Sequence, residues 1–487
     1  MVVCPAFKRC ALPALVLALT AGCMRGETEP EFPRVEPGVH SFVTEPGLVP
    51  PEVATVFSME SATDGYILLV PRVRGDREEG DPHSGLLIID TAGEPVWTRR
   101  FDGDIYANDL TLQTFRGEPV LTYWQGESFE PGWGEGEYII LNGRYEEVAR
   151  VSMGDGLNAD FHDLIITPRD TALMMAYPRT EGDPPIRSSA VQEVDIETGE
   201  VLFAWDALDH VDTDESDHPL PEDEERAWDY FHINSVDEDA DGNLLISARH
   251  THALYKIDRE TGEIMWTLGG KNSDFTLGSG VEFRYQHDAR WLPDGRISLL
   301  DNVSAEADDD GASRALILQL DEETMHVDLV AEMTNPDEVI SSTQANHQVL
   351  PNGHSFVGWG SRPSLTEFGP DGKVKRHMVF PSNMFSYRAL LGDWVGTPEY
   401  PPAVSATIRQ SGTVSVAMSW NGATEVVRWR VLAGAEPDAL DVIKAVPRDG
   451  FETETTIDGE PRFVRVQALD VTGEILTESE VLPVSSF

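Results

Sequence analysis

The chain has 487 residues, room for two or three domains, and carries 85 Asp and Glu against 36 Lys and Arg, a formal net charge of −49. A surface that acidic repels phosphate backbones and excludes nucleic acid as a partner. The hydrophobic fraction of 40%, with 11 Trp, 19 Phe and 11 Tyr, can fill a large core and excludes intrinsic disorder.

The first predicted element is a leader over residues 1–22. Lys8 and Arg9 form a basic n-region, Cys10 to Thr20 an apolar h-region, and Leu19-Thr20-Ala21-Gly22 runs into Cys23. This resembles the lipobox of bacterial lipoproteins, which is cleaved before a cysteine that then carries the lipid. Thr20, where Leu is commoner, departs from that pattern, and an ordinary secretory signal cleaved elsewhere is the alternative. Cys4 and Cys10 fall inside the leader, so a lipidated Cys23 leaves no thiol for a disulfide, for thiolate catalysis or for a metal site. Residues 23–40, Glu/Pro-rich between Gly26 and Pro37, read as a flexible tether. Met24 rather than Asp after the cysteine points to an exported lipoprotein of the outer membrane, with a membrane contact through Cys23 alone. No later stretch reaches about 18 continuous apolar residues, so no internal transmembrane helix is expected.

Residues 41–396 read as all-β. Apolar runs of four to six residues alternate with turns, and helical periodicity is scarce. The unit is a strand, a turn, a second strand, then a strand pair about a further turn. Its first turns are Asp64-Gly65, Gly117-Glu118, Arg169-Asp170, Asp241-Gly242, Asp294-Gly295 and Asn352-Gly353, roughly 50–70 residues apart. The later turn is plainest at Gly93, Thr198-Gly199-Glu200 and Thr261-Gly262-Glu263. Six four-stranded units at that spacing predict a six-bladed β-propeller, with a β-sandwich as the runner-up. Residues 397–487, opening near Pro401-Pro402, lack the unit. Their short alternating strands predict a small Ig-like or fibronectin-like sandwich without catalytic residues.

His162, His232, His287 and His347 each precede the first turn of their unit by five to nine residues. The first strand of each blade lines the channel of a propeller, so the four imidazoles are expected to face one mouth. Reflection through Asp241 sets Arg249 opposite His232, and the same reflection through Asp294-Gly295 sets Asn302 near His287. Asn234, two residues beyond His232, is expected on its face. From Arg249 to Arg296 seven Lys or Arg balance seven Asp or Glu, a local relief from negative potential that suits an anion site. Arg249, Lys271 and Arg290 are the candidate cations.

Phe231-His232-Ile233-Asn234-Ser235-Val236, Ser247-Ala248-Arg249-His250-Thr251, Trp266-Thr267-Leu268-Gly269-Gly270-Lys271 and Gln286-His287-Asp288-Ala289-Arg290 resemble the signature blocks of bacterial and fungal arylsulfotransferases. Leu300-Asp301-Asn302 and Ser419-Trp420-Asn421-Gly422-Ala423-Thr424 belong to the same resemblance, which spans about residues 150 to 430. It implies a six-bladed propeller that moves a sulfuryl group from an aryl sulfate to a phenolic acceptor, without the nucleotide sulfate donor PAPS and through a transient sulfohistidine. By motif, His287 is the implied nucleophile, His232, Asn234 and Arg249 hold the sulfuryl oxygens, and His162 completes the site. His347 remains a suggestion from geometry only. No cofactor and no metal are expected.

Such chemistry needs an in-line nucleophile and donors around the equatorial oxygens, which a neutral imidazole, an Arg and an Asn can supply. Three other features compete for attention. Asp237-x-Asp239-x-Asp241-Gly242 imitates the start of a calcium loop, but its twelfth position is Ala248. The nine carboxylates from Asp209 to Glu225 read as a solvated loop, and His250-x-His252 as an exposed strand pair. Two readings outside sulfuryl transfer stay open: a His-ligated metalloenzyme, and a propeller lipoprotein that binds a ligand without catalysis.

Overall fold

The computed structural model describes residues 32–75, 80–101, 105–130, 132–223, 225–303 and 311–486. The leader, Cys23 and most of the tether therefore lie outside the described residues. Runs such as Gly85–Asp90 and Leu244–Ala248 are apolar at nearly every position rather than at alternate ones. Both faces of these strands are covered, since each sheet packs between two others, and a continuous apolar run is what that position demands. Among the described residues the only helical elements are two 3-10 turns, Ala207–Asp209 and Thr213–Glu215, and no helix is long and apolar enough to cross a membrane.

Six sheets of four or five strands, antiparallel except where Thr276–Leu277 pairs in parallel at the edge of the fifth, follow one another from residue 54 to residue 392. Their innermost strands are Met384–Gly392, Tyr106–Phe115, Leu164–Ile166, Ile233–Glu238, His287–Trp291 and Asn346–Val349, for the first to sixth sheet in order. Each touches the next, and the sixth touches the first, so the inner strands form a closed ring in a propeller-like arrangement. Five of the expected first turns are hairpins inside a sheet. The Asp64-Gly65 turn is different. It joins Ala54–Ser58, the outer edge of the sixth sheet, to Tyr66–Val73, the second strand of the first. The inner strand of the first sheet comes from Met384–Gly392, paired from Tyr66 with Gly392 to Val73 with Met384. The two ends of the ring-forming segment thus cover edges that the ring would otherwise leave unpaired.

Residues 403–486 form two further sheets around one core that includes Val416, Met418, Trp429, Val431, Val464 and Val466. They dock on the edge strand Pro95–Arg100 of the first sheet. Asn421 acts there as one more strand residue: its Oδ1 accepts from the Thr98 N–H and its Nδ2 donates to the Thr98 carbonyl, each at 2.9 Å. Gly422 follows at φ +99°, and a Cβ at this position would meet the Tyr145 ring at 2.5 Å and Trp97 at 3.0 Å. Only glycine lets the two units approach this closely.

Candidate active site

Where the chain enters the inner strands of the fourth, fifth and sixth sheets, the backbone leaves the ordinary regions. His232, Tyr285, Asp288 and Gln344 have φ of 55°, 53°, 54° and 65°. Each such residue costs on the order of 1–3 kcal/mol, tolerated because the packed sheets on either side dictate the path. The result is a cavity of about 470 Å³ whose lining includes His162, His232, His287, Arg249 and His250. The His162 and His232 rings meet edge to face with centroids 5.3 Å apart.

Each of these three expected imidazoles, His162, His232 and His287, has a partner behind it. His162 Nδ1 is bonded to Asp160 Oδ1, which also accepts the His162 N–H at 2.9 Å. His232 Nδ1 lies 2.5 Å from Asp229 Oδ2. His287 is backed by an amide instead, with Nδ1 2.7 Å from Asn302 Oδ1 and 3.0 Å from the Tyr285 carbonyl. Asn302 Nδ2 donates to the Ser341 and Gln344 carbonyls, each at 2.8 Å, which fixes its oxygen toward the ring. Both partners of His287 Nδ1 are acceptors, so that nitrogen carries the proton and Nε2 holds the lone pair. Nε2 receives only a long 3.3 Å contact from the Gln344 N–H.

Burial pushes the His287 imidazole well below its usual range, and the nearby Arg249 cation pushes it further. The same burial, with His162 and Arg249 as neighbours, lowers His232. His250 is lowered too, again mainly by burial. These rings are therefore neutral near pH 7. Arg249 is held over the Tyr285 ring at 4.8 Å and donates to His250 Nε2 at 2.8 Å and to the Ser342 carbonyl at 3.3 Å. Its backbone N–H donates to the His232 carbonyl, which places it opposite His232 as the hairpin reflection anticipates.

Four expected positions differ. Asn234 is fully buried and lines no part of the cavity; its Nδ2 donates to the Gln286 carbonyl at 2.6 Å. The left-handed turn at His232 breaks the two-residue alternation, so the two side chains do not share a face. His347 lies inside its strand, paired with Val357, its Nδ1 donating to the Leu316 carbonyl and its Nε2 accepting from the Ser355 hydroxyl. It precedes its turn by five residues, whereas His162, His232 and His287 precede theirs by seven to nine, and two residues of strand set it about 7 Å deeper. Arg290 is bonded to Asp163 and Asp288 on the ring axis and, with His347, lines a different cavity of about 780 Å³ nearer the first turns. Lys271 holds the acidic loop, reaching the Asp214 and Ser216 carbonyls and Asp217. Asn302 is beside His287, as the reflection anticipates, but stands behind its ring and not in the lining.

The acidic loop, read from composition as merely solvated, reaches the site: His218, Pro219, Leu220 and Pro221 form part of the wall, and His218 stacks on His250 at 4.0 Å. Sequence reasoning missed Asp160, Asp229, Trp133, Arg187 and Thr343. The spacings Asp160-x-His162 and Asp229-x-x-His232 were a usable signal for the first two; nothing marked the others. His250 and His252 are buried, not on an exposed strand. Asp239 caps its own turn through the Asp241 and Asn243 N–H groups and pairs with Lys256, while Asp237 accepts from the Trp291 N–H, so the calcium-like run serves its hairpin. Asp229, His232 and His250 bring possible ligand atoms within 4.8 Å of one another. They already bond to one another, however, and a guanidinium donates to His250 Nε2, an arrangement that suits a neutral hydrogen-bonded network better than a cation.

The chain is similar in structure to a Bacteroides caccae protein of unknown function, with a TM-score of 0.41, 14% identity, and coverage of 67% of this chain and 98% of that one. A catalytically inactive variant of the virginiamycin B lyase of Staphylococcus aureus gives 0.36 at 9% identity, covering 75% and 96%. The Pseudomonas aeruginosa periplasmic gluconolactonase gives 0.35 at 12%, covering 87% and 97%. No curated protein matches. The family profile described as arylsulfotransferase (ASST) matches residues 111–380, which carry His162, His232, Arg249 and His287. With more than half of its length in that match, the chain belongs to the arylsulfotransferase (ASST) family.

Proposed function

We propose that the protein moves a sulfuryl group from an aryl sulfate ester to a phenolic acceptor through a sulfohistidine at His287 Nε2, without PAPS. The observation that carries this is the fixed tautomer of His287: Asn302 and the Tyr285 carbonyl hold the Nδ1 proton, and burial keeps the ring neutral. In the first step Nε2 forms a bond to sulfur as the sulfur–aryl oxygen bond breaks and the phenolate departs. In the second the acceptor oxygen forms a bond to sulfur as the nitrogen–sulfur bond breaks. The acceptor's proton passes to His232 Nε2, and Asp229 behind Nδ1 stabilises the resulting imidazolium. Arg249 supplies positive charge to the equatorial oxygens. His162, backed by Asp160, is a second proton carrier on the same wall.

The six sheets are read as six propeller blades and residues 403–486 as an Ig-like or fibronectin-like sandwich. The N-terminal reading remains part of the proposal, with Cys23 as a lipid anchor at the outer membrane.

Incubation with 4-nitrophenyl sulfate and no acceptor should add about 80 Da, the mass of a sulfuryl group, to the peptide containing Gln286-His287-Asp288. The adduct is acid-labile, so workup is kept neutral or alkaline. H287A should lose both adduct and turnover while still folded, with some loss of stability because Asn302 Oδ1 is left unpaired; near-normal turnover in H287A would place the nucleophile elsewhere.

A further inference from the structure

Arg187 lines the same cavity as the three imidazoles but has no place in the transfer steps. Its guanidinium lies 3.6 Å from the centroid of the Trp133 ring, and its NH1 donates to the Tyr177 carbonyl at 2.9 Å. Trp133 is itself held in place by stacking on Phe129 at 4.4 Å. Three other buried or half-buried arginines have carboxylates in contact: Arg290 has Asp163 and Asp288, Arg314 has Asp301, and Arg388 has Asp109. Among the described residues no carboxylate forms a salt bridge with Arg187, in a chain of net charge −49. Burial holds the Arg187 guanidinium below its usual range, and Asp229 and Glu135, acting from farther off, do not offset it. Leaving a half-desolvated cation without a contacting counter-ion is unfavourable unless an anion from outside completes it.

Arg187 and the imidazoles line one cavity and share Tyr177 as a neighbour. The Tyr177 ring, whose residue holds Arg187 through its carbonyl, sits 5.4 Å from His232 and 5.6 Å from His162, centroid to centroid. A substrate ring with its phenolic oxygen among the imidazoles would have Phe161 and Trp228 as apolar walls.

We propose that Arg187 and Trp133 form a subsite for a second anionic group, so that the favoured aromatic substrate is a phenol whose ring also bears a carboxylate. The inference rests on the sulfuryl-transfer reading above for the phenol, but not for the acid group. Arg249, against the His287 loop, serves the transferred group, whereas Arg187 serves the remote end of the ring.

The test pairs two isosteric acceptors, 4-hydroxybenzoate and 4-hydroxybenzamide, with wild type and R187Q, using 4-nitrophenyl sulfate as donor. Wild type should prefer the benzoate, and the benzoate-to-benzamide ratio of kcat/KM should fall about ten-fold in R187Q. A ratio unchanged within about two-fold, with both rates lowered together, would put Arg187 on the sulfuryl group or in the scaffold and overturn the subsite. Binding measured by calorimetry without any donor separates this proposal from the reading it rests on. Even a protein that transfers nothing should bind the benzoate more tightly than the benzamide, and R187Q should remove the difference. Equal binding of the two by wild type overturns the subsite. If R187Q does not fold, R187K should keep part of the preference, and the wild-type preference should shrink between about 50 and 500 mM salt, as a charge contact in a partly open cavity must. A salt-independent preference counts against it.

Discussion

An imidazole attacks sulfur only through an unprotonated nitrogen, so the group behind each ring decides what that ring can do. His232 and His162 have carboxylates behind them and suit proton transfer; His287 has an amide that can accept the Nδ1 proton but not take it away. Folding lowers the His287 and His232 pKa values below the ordinary 6.5, mainly by burial, so their active neutral forms persist as the pH falls. The rate should therefore stay flat from pH 8 down to about 6 and drop only well below that. A kcat/KM profile with a midpoint near 6.5 would show solvent-like imidazoles and contradict the assignment. The same sign governs stability. For His347, which burial pushes down to about 4, the unfolded chain takes up a proton between pH 6.5 and about 4 that the folded chain refuses. Its contribution is present above that window and is lost as the pH falls through it, so H347Q should lose its disadvantage in urea unfolding over the same range. Residue type and spacing alone marked His162, His232, Arg249, His287 and Asn302. They misplaced His347 because a two-residue difference in distance from the turn, visible in the sequence, decides between mouth and core. Asn234 was misplaced for another reason, since a left-handed φ at His232 cannot be read from a period-two pattern.

At the scale of elements, the turns were the most legible feature because their residues act locally. Asp195 and Asp258 cap the Thr-Gly-Glu turns that follow them, accepting from the Thr198 and Thr261 N–H groups at 2.7 and 2.8 Å. The pairing of Met384–Gly392 with Tyr66–Val73 was illegible for the opposite reason: the partners are some 300 residues apart, and no turn residue announces them. The C-terminal sheets hold the first two sheets: Asn421 bonds the first, and Gly422 donates its N–H to the Val96 carbonyl of the first at 2.7 Å and accepts through its carbonyl from the hydroxyl of Tyr145, in a turn of the second, at 2.8 Å. All the imidazoles precede this unit, so a chain ending near Thr397 should retain the transfer chemistry. It should also lose at least about 2–4 kcal/mol of stability, from the hydrogen bonds of Asn421 and Gly422, those of Thr424 with Gly396 and of Glu452 with Val43 and Thr44, and from exposure of Trp97. Urea unfolding and an aryl-sulfate assay of the shortened protein check both halves. A well-folded truncation without activity would mean that the C-terminal unit contributes to the site.

The whole molecule is held at its centre by charge as well as by its sheets. Closing the ring with the last inner strand carries Arg388 to the axis, where it lies 2.7 Å from Asp109, 2.8 Å from Asp163 and 3.3 Å from Asp288. Arg290 meets Asp163 at 2.8 Å and Asp288 at 2.9 Å, so two guanidinium groups balance three carboxylates from three different sheets. The balance is incomplete, and burial pushes Asp109 up to about 7. Nothing in the spacing of Asp109, Asp163, Asp288 and Arg388 along the chain signals this meeting; it exists only once the ring closes. Removing one member of such a network costs more than the network contributes, because the remaining charges stay buried without partners. Arg388→Met should therefore destabilise the protein by about 3–5 kcal/mol in urea unfolding at pH 7.5. The loss should shrink toward pH 5, where the stranded carboxylates can take up protons, Asp109 first. Arg388→Lys keeps the charge but not the fork that reaches several carboxylates, and should fall between the two. Asp288 follows His287 directly, so the same substitution should loosen the nucleophile and lower kcat more than KM. If Arg388→Met unfolds no more easily than the wild type at either pH, the sheets alone close the ring, and the axial charges are passengers.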